Sequence, residues 1–167
     1  MGKKIMNKKK CIVIMGVAGA GKSTLGNLFT KKKDCVFIEG DDLHSKENKQ
    51  KMKNGIPLND EDRFSWLQLI KSEISSKIID FNVIVSCSAL KKKYRRILKN
   101  ENTFFVYLKI NKSLASSRLK ARKNHFMPDS LVESQFNDLE EPKNALIISG
   151  NENINSIFNR VLQELNL

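Results

Sequence analysis

The sequence predicts an α/β fold of three layers (α/β/α), in which helices cover both faces of a parallel sheet. Runs of apolar, β-branched and aromatic residues alternate with longer segments that have helical spacing. The runs are almost continuously apolar, which is typical of parallel strands that are buried on both faces. The segment GVAGAGKS directly follows the first run and precedes the first helical segment. It therefore lies at the carboxyl end of a strand, where ligands of such sheets bind.

The apolar runs are predicted to form the strands of this sheet. They are CIVIM (11–15), CVFI (35–38), NVIVSCS (82–88), TFFVYLKI (103–110) and ALIIS (145–149). After the polar residues NDED, the segment DRFSWLQLIKSEISSKI predicts a long helix that packs on the core. Its apolar stripe is expected to comprise Phe64, Leu67, Ile70, Ile74 and Ile78. Trp66 is interpreted as a core residue, with a pocket wall as the alternative. A further helix is predicted to begin at Pro128 and Asp129, and a last helix follows the fifth strand.

Length and composition narrow the class of protein. The 167 residues fit a single domain, 1–167, with one sizeable core. The net charge of +12 favours anionic ligands such as nucleotides or sugar acids without choosing among them. The three cysteines form no C-x-x-C pair and are expected to be reduced thiols. Because no apolar run is long enough to span a membrane and the N-terminus lacks a secretory signal, we expect a soluble, cytoplasmic protein.

The segment GVAGAGKS (16–23) has the spacing of a Walker A loop and lies, as such a loop must, between a strand and a helix. Its glycines allow the chain to curl so that backbone amides point at phosphate oxygens, and the helix N-terminus adds partial positive charge. Lys22 is expected to reach the β- and γ-phosphates, and the Ser23 hydroxyl to bind Mg²⁺. The expected ATP-binding residues are Gly16, Gly19, Ala20, Gly21, Lys22, Ser23 and Thr24. The loop predicts a P-loop NTPase fold, but it does not choose between a kinase, a motor ATPase and a GTPase. A GTPase is less favoured, because the sequence has no N-K-x-D motif.

The segment EGDDLH (39–44) directly follows the second strand. Because ligands collect at the carboxyl ends of the strands, its carboxylates are candidates for the acceptor side of a kinase. A carboxylate there can accept the proton of a substrate hydroxyl or bind Mg²⁺ through water. The alternative is a solvated acidic turn.

A succession of segments extends this interpretation over most of the chain. In order they are GVAGAGKS, EGDDLHSKENKQKMKNGIPLNDEDRFSWL, SCSALKKKYR, RLKARKNHFMPDSLVESQF and LEEP. Together they resemble the gluconokinases, small P-loop kinases that make 6-phosphogluconate from D-gluconate and ATP, and the matching segments run from about residue 11 to 142. The resemblance implies a nucleoside-monophosphate-kinase-like fold with a helical lid at about 116–128. It also implies ATP and Mg²⁺ as cofactors and is compatible with a homodimer.

Carried over residue by residue, the resemblance implies that Asp41 accepts the proton of the C6 hydroxyl of gluconate. Arg63 would hold the gluconate carboxylate, which suits the planar fork of a guanidinium. The remaining substrate-binding candidates are His44, Asn48, Lys51, Lys91, Arg95 and His125. Arg118 and Arg122, four residues apart and hence on one helix face, would clamp the triphosphate. The alternative for these two arginines is a basic surface helix.

Two other functions stay open at this point. A related P-loop kinase would act on a shikimate- or nucleotide-type acceptor, but the sequence lacks the DGFPR signature of adenylate kinases and the Gly-Gly-Gly acceptor loop of shikimate kinases. A basic nucleic-acid-binding ATPase is less favoured, because segment 39–66 has mixed charge and aromatic residues make up only 7% of the chain.

Segment 39–66 departs from the family pattern at two positions. Glu39 stands where gluconokinases commonly have Asp, and Ser65 stands where Pro often precedes the Trp.

Overall fold

The computed structural model describes residues 7–122 and 127–167. The strands are β1 (Cys11–Met15), β2 (Cys35–Glu39), β3 (Asn82–Ser86), β4 (Thr103–Lys109) and β5 (Leu146–Ser149). The helices are α1 (Lys22–Lys32), α2 (Lys46–Lys53), α3 (Asp60–Lys77), α4 (Lys92–Leu98), α5 (Lys112–Ala121), α6 (Asp129–Asp138) and α7 (Ile154–Leu165), and one 3₁₀ turn covers Gly40–Leu43.

The strands form one parallel sheet in the order β2-β3-β1-β4-β5. The central strand β1 pairs with both β3 and β4, so that Val13 lies between Val85 and Phe105. All carboxyl ends therefore meet at one edge of the sheet, and the loops that follow β1, β2 and β3 lie side by side. The predicted three-layer α/β fold with a parallel sheet is confirmed, and the predicted strands agree with the observed ones to within two residues at each end.

The core consists of two apolar clusters, one on each face of the sheet. Alternate residues of β1 divide between them: Ile12 and Ile14 belong to one cluster, and Val13 and Met15 to the other. This division follows from the strand geometry, in which successive side chains point to opposite faces. Helices α1 and α7 supply the first cluster, and α3 and α4 supply the second. Both faces of the sheet are thus covered, which explains why its strands are almost continuously apolar.

Helix α3 begins with a capping box, in which Asn59 and Asp62 exchange hydrogen bonds between side chain and backbone. The predicted apolar stripe of this helix was wrong at one end. Phe64 is 54% exposed, whereas Arg63 and Trp66 are buried with 6% and 2% exposure. The stripe is rotated because the Trp66 indole donates to the carbonyl of Gly40 at 2.7 Å, while Arg63 is paired with Asp138 of α6.

Within the ranges that the structure describes, none of the helices combines the length and apolar character needed to cross a membrane.

Candidate active site

The phosphate loop lies between β1 and α1 and is held in shape by its glycines. Gly19 and Gly21 have φ values of 83° and 97°, in the left-handed region that favours glycine. A Cβ atom at Gly19 would lie 3.1 Å from the carbonyl oxygen of Ala115, so the loop packs closely against α5. At Gly21 a Cβ atom would meet no heavy atom within 4 Å, so this side of the loop is open to a ligand.

Lys22 occupies the first position of α1 and reaches back over the loop, where its ammonium group donates to the carbonyl of Val17 at 2.9 Å. Burial lowers the pKa of Lys22, while the negative charges of Asp41 and Glu39 raise it and the positive charge of Arg122 lowers it. These groups come from different elements of the chain. The charges of the predicted acceptor carboxylate and of one predicted arginine therefore act on the predicted lysine.

Arg118 lies near the carboxyl end of α5 and connects two loops. Its Nη1 donates to the carbonyl of Gly19 at 3.0 Å, and its Nη2 donates to the carbonyl of Gly150 at 2.8 Å. α5 ends at Ala121, so Arg122 lies just beyond the helix, in extended backbone, rather than on the same helix face. Both arginines nevertheless line one cleft of about 330 Å³ beside the phosphate loop. Other residues that line this cleft are Ala20, Gly21, Thr24, Gly150 and Glu152.

The acceptor side begins where β2 ends. Asp41 is exposed on the 3₁₀ turn, and it is near enough to Lys22 for its charge to raise the lysine pKa. Glu39 is the last residue of β2, and its Oε1 is buried. Among residues 7–122 and 127–167, this oxygen is the one buried side-chain polar atom without a hydrogen-bond partner. A buried carboxylate oxygen that lacks a donor is suited to a cation or its bound water.

His44 directly follows the 3₁₀ turn that carries Asp41 and is buried against Trp66, which is a core residue as predicted. The two rings stack with centroids 4.1 Å apart and planes inclined by 16°. Asn48 approaches His44 Nδ1 at 3.5 Å and donates to the carbonyl of Asp62 at 3.0 Å. Burial lowers the pKa of His44 to about 4, against the opposing charge of Asp41. His44 is therefore a neutral imidazole at physiological pH.

Arg63 is buried in a polar network with Asp138 and Tyr94. Its Nη1 donates to Asp138 Oδ2 at 2.7 Å and to the hydroxyl of Tyr94 at 3.2 Å. Burial lowers the pKa of Arg63, but these two hydrogen bonds outweigh that effect, so the net change is upward. Lys91 lies 2.9 Å from Asp60 Oδ1 and 3.9 Å from Asp138 Oδ1. Two predicted anion contacts, Arg63 and Lys91, thus share one acidic partner.

The other predicted substrate contacts have different surroundings. Lys51 pairs with Asp62 at 2.8 Å, at the edge of the acceptor region. Arg95 is buried and donates to the backbone carbonyls of Ala89, Leu90 and Glu140. These contacts give Arg95 a part in shaping the loop after β3. His125 lies outside the described residues.

Sequence reasoning missed several residues that the fold brings to the site. They are Asp60, Tyr94, Gln135, Asp138 and Gly150. Asp138 lies 75 residues from Arg63, and Gln135 lies 117 residues from its partner Ala18. Both occur within or beside the quoted family segments, but nothing in the sequence pairs them with their distant partners.

Comparisons with known proteins show to which family this chain is similar. The family model described as "Shikimate kinase" matches residues 18–166. A probable gluconokinase of Saccharomyces cerevisiae is 47% identical over 153 residues, which cover 83% of this chain and 78% of the relative. A gluconokinase of Arabidopsis thaliana is 37% identical over 94% of this chain and 95% of the relative. The crystal structure of a gluconokinase from Sinorhizobium meliloti 1021 has 38% identity and a TM-score of 0.85, covering 95% of this chain and 93% of that chain.

The chain belongs to the gluconokinase family. The predicted resemblance is thereby confirmed, and so is the prediction of an ATP-dependent sugar acid kinase. The Walker A loop, with Lys22 at the start of α1, is the part of this chain that corresponds to nucleotide use. The comparisons do not assign individual residues, so the roles of the acceptor-side groups follow from their geometry and chemistry.

Proposed function

We propose that this protein transfers the γ-phosphate of ATP to the C6 hydroxyl of D-gluconate, producing 6-phospho-D-gluconate and ADP. One observation carries the proposal: the Walker A loop with Lys22 and the turn with Asp41 follow parallel strands of one sheet and lie at the same edge. The negative charge of Asp41 acts on Lys22 and raises the pKa of the lysine. A kinase needs this arrangement, because the attacking hydroxyl and the γ-phosphate must meet with little freedom. The gluconokinase relatives support gluconate as the acceptor.

In the proposed reaction, Asp41 accepts the C6 hydroxyl proton as that oxygen attacks the γ-phosphorus. The bond from this phosphorus to the β–γ bridging oxygen breaks, and ADP leaves with the electron pair. Lys22 and the guanidinium of Arg122 stabilise the charge on the transferring group. Arg118 holds the phosphate loop through Gly19 and positions the wall of the nucleotide cleft through Gly150.

The acceptor would be held by polar and charged side chains. Arg63 binds the gluconate carboxylate through donors other than Nη1, which Asp138 and Tyr94 already share. Lys91 adds positive charge beside it. Neutral His44 and Asn48 offer hydrogen bonds to sugar hydroxyls without adding charge, and the stack on Trp66 fixes the imidazole plane.

Mg²⁺ is proposed as the cofactor. The Ser23 hydroxyl at the start of α1 and the buried, unpartnered Oε1 of Glu39 are oxygen donors of the kind that this ion prefers. In the described parts of the chain no three His, Cys, Asp or Glu side chains form a metal cluster. This fits an ion held mainly by nucleotide phosphates, which uses only one or two protein carboxylates. When bound, it would neutralise charge between the β- and γ-phosphates.

The test is ADP release from ATP in the presence of Mg²⁺, with D-gluconate, shikimate, AMP and no acceptor in parallel, and with the product identified by mass spectrometry. Release that depends on gluconate, together with 6-phosphogluconate as product, supports the proposal. Release that depends on shikimate or AMP would reassign the acceptor. Equal release in every reaction would point to an ATPase without a small acceptor, and binding to RNA or DNA across a salt series would then be the next measurement.

Two variants and one control assign the roles. Asp41→Asn is expected to lower kcat by about 10²- to 10⁴-fold if Asp41 is the general base. Asp42→Asn changes the neighbouring acid on the same exposed turn and is expected to keep kcat near the wild-type value. Lys22→Ala is expected to abolish transfer while thermal unfolding stays close to wild type. An unchanged kcat in Asp41→Asn would remove this residue from the role of base.

A further inference from the structure

Helix α6 contacts the phosphate loop directly. The side-chain Oε1 of Gln135 accepts a hydrogen bond from the backbone amide of Ala18 at 2.7 Å. Ala18 is the third residue of the Walker A segment, just before the amides expected to face the phosphates. Gln135 is partly buried, so its contact with the loop is partly shielded from water. The shape of the loop therefore depends on a side chain from a different part of the chain.

The same helix contacts the acceptor side three residues later. Asp138 Oδ2 lies 2.7 Å from Arg63 Nη1, and its Oδ1 lies 3.9 Å from Lys91 Nζ. Residues three apart on a helix are neighbours on its surface. Gln135 and Asp138 thus contact the two halves of the site from adjacent positions on one rigid element.

Helix α6 is packed on the core in its first half and is tied to the loop after β3 beyond its last residue. Leu131 and Val132 are buried in its first half, at 5% and 4% exposure. Beyond its last residue, the amide of Glu140 donates to the carbonyl of Leu90 at 2.8 Å, and Arg95 donates to the carbonyl of Glu140 at 2.8 Å. Because Gln135 and Asp138 lie one turn apart on this packed helix, a displacement of one residue moves the other with it.

We propose that Gln135 is a positioning residue for the phosphate loop and Asp138 a positioning residue for Arg63, and that α6 couples the nucleotide and acceptor halves of the site. Binding of one substrate fixes α6 and thereby favours binding of the other. The assignment of the Arg63 side to gluconate rests on the proposed function. The contact of Gln135 with the loop does not.

The first test is Gln135→Met, which keeps the length of the side chain and removes the acceptor oxygen. Loss of this acceptor leaves the Ala18 amide without its partner, and the affinity for a non-hydrolysable ATP analogue is expected to fall by about five- to tenfold. The affinity of the nucleotide-free protein for gluconate is expected to stay unchanged. Glu133→Gln is the matched control, because Glu133 lies on the same helix in an exposed pair with Lys112. An unaltered nucleotide affinity in Gln135→Met would overturn the loop contact as a positioning device.

The second test measures coupling. In the wild type, the ATP analogue is expected to raise gluconate affinity by about fivefold or more, and gluconate must raise analogue affinity by the same factor. Gln135→Met is expected to bring this factor close to one. Asp138→Asn is expected to raise the KM for gluconate, and the double variant should lose less kcat/KM than the product of the two single losses. Independent effects that multiply, or no coupling in the wild type, would refute the link through α6.

The two proposals can fail separately. If the wild-type protein bound the ATP analogue but not gluconate, the proposed acceptor would be wrong, and the claimed coupling to gluconate would be overturned with it. A loss of nucleotide affinity in Gln135→Met, with none in Glu133→Gln, would still support the role of Gln135 at the loop.

Discussion

The protein is expected to become less stable in mild acid, because the unfolded chain takes up a proton at His44 at a higher pH than the folded protein does. His44 is 8% exposed, stacks on Trp66 and has a pKa lowered from 6.5 to about 4, mainly by burial. The positive charges of Arg63 and Lys49 lower this pKa further, and Asp41 opposes them. In the unfolded chain His44 takes up a proton as the pH falls through about 6.5, whereas in the folded protein it does so only near 4.

The magnitude follows from this difference in pKa. One pKa unit corresponds to about 1.4 kcal/mol, so the contribution of His44 to the free energy of unfolding should fall by about 3 kcal/mol from pH 7 to pH 4. For a chain of this size the loss corresponds to a decrease in Tm of about 6–12 °C. The loss of stability caused by His44 is expected between pH 7 and pH 4. Asp60 and Asp62 also have lowered pKa values, but the stability they contribute is lost only as the pH falls below their unfolded value of 3.8.

The measurement is urea unfolding at several pH values between 7 and 4, for the wild type and for His44→Phe. Phenylalanine retains an aromatic ring against Trp66 but cannot take up a proton. The wild type is expected to lose about 3 kcal/mol relative to the variant over this range. NMR titration of the His44 ring protons provides a direct check. Parallel stability profiles, or a ring titration near pH 6.5, would refute the argument that burial keeps this imidazole neutral.

Three further substitutions test contacts that shape the site. Arg95→Met leaves three backbone carbonyls without a charged donor. Urea unfolding is expected to show a loss of about 3 kcal/mol in the free energy of unfolding. A higher gluconate KM at unchanged stability would instead favour a direct contact between Arg95 and an anion. Gly26→Ala places a Cβ atom in steric conflict with the Phe37 ring and is expected to lower the free energy of unfolding by about 1–3 kcal/mol. An unchanged Tm would contradict this packing. Trp66→Phe removes the donor to the Gly40 carbonyl and is expected to lower the free energy of unfolding by about 1–3 kcal/mol. Because Gly40 precedes Asp41, the KM for gluconate is also expected to rise. An unchanged KM would show that this contact does not affect the acceptor side.

The phosphate loop and the strands were predictable because their determinants are contiguous. Gly21, Lys22 and Ser23 act through consecutive backbone amides and side chains at fixed spacing, so the letters alone indicate the structure. The same applies to β1, whose predicted bounds, 11–15, match the observed Cys11–Met15. A strand buried on both faces needs an unbroken apolar run, and such a run is visible without knowledge of its partners.

The rotation of α3 was less predictable. Helical spacing shows which residues share a face, and Phe64 and Leu67 do so. It does not show that a neighbouring charged residue, Arg63, is buried in place of Phe64, because a charge is buried only when a partner is present. That partner, Asp138, comes from a helix that begins 66 residues later.

The sequence by itself determined that this protein binds a nucleoside triphosphate on a parallel α/β sheet, and its ordered segments indicated the kinase family. Only the tertiary structure decided which side chains meet. The pairs Arg63–Asp138 and Ala18–Gln135 and the stack of His44 on Trp66 depend on how α3 and α6 pack against the loops at one edge of the sheet. Hydrogen bonds and ion pairs act over a few ångströms in space and have no period along the chain, so their partners become visible only in the folded structure.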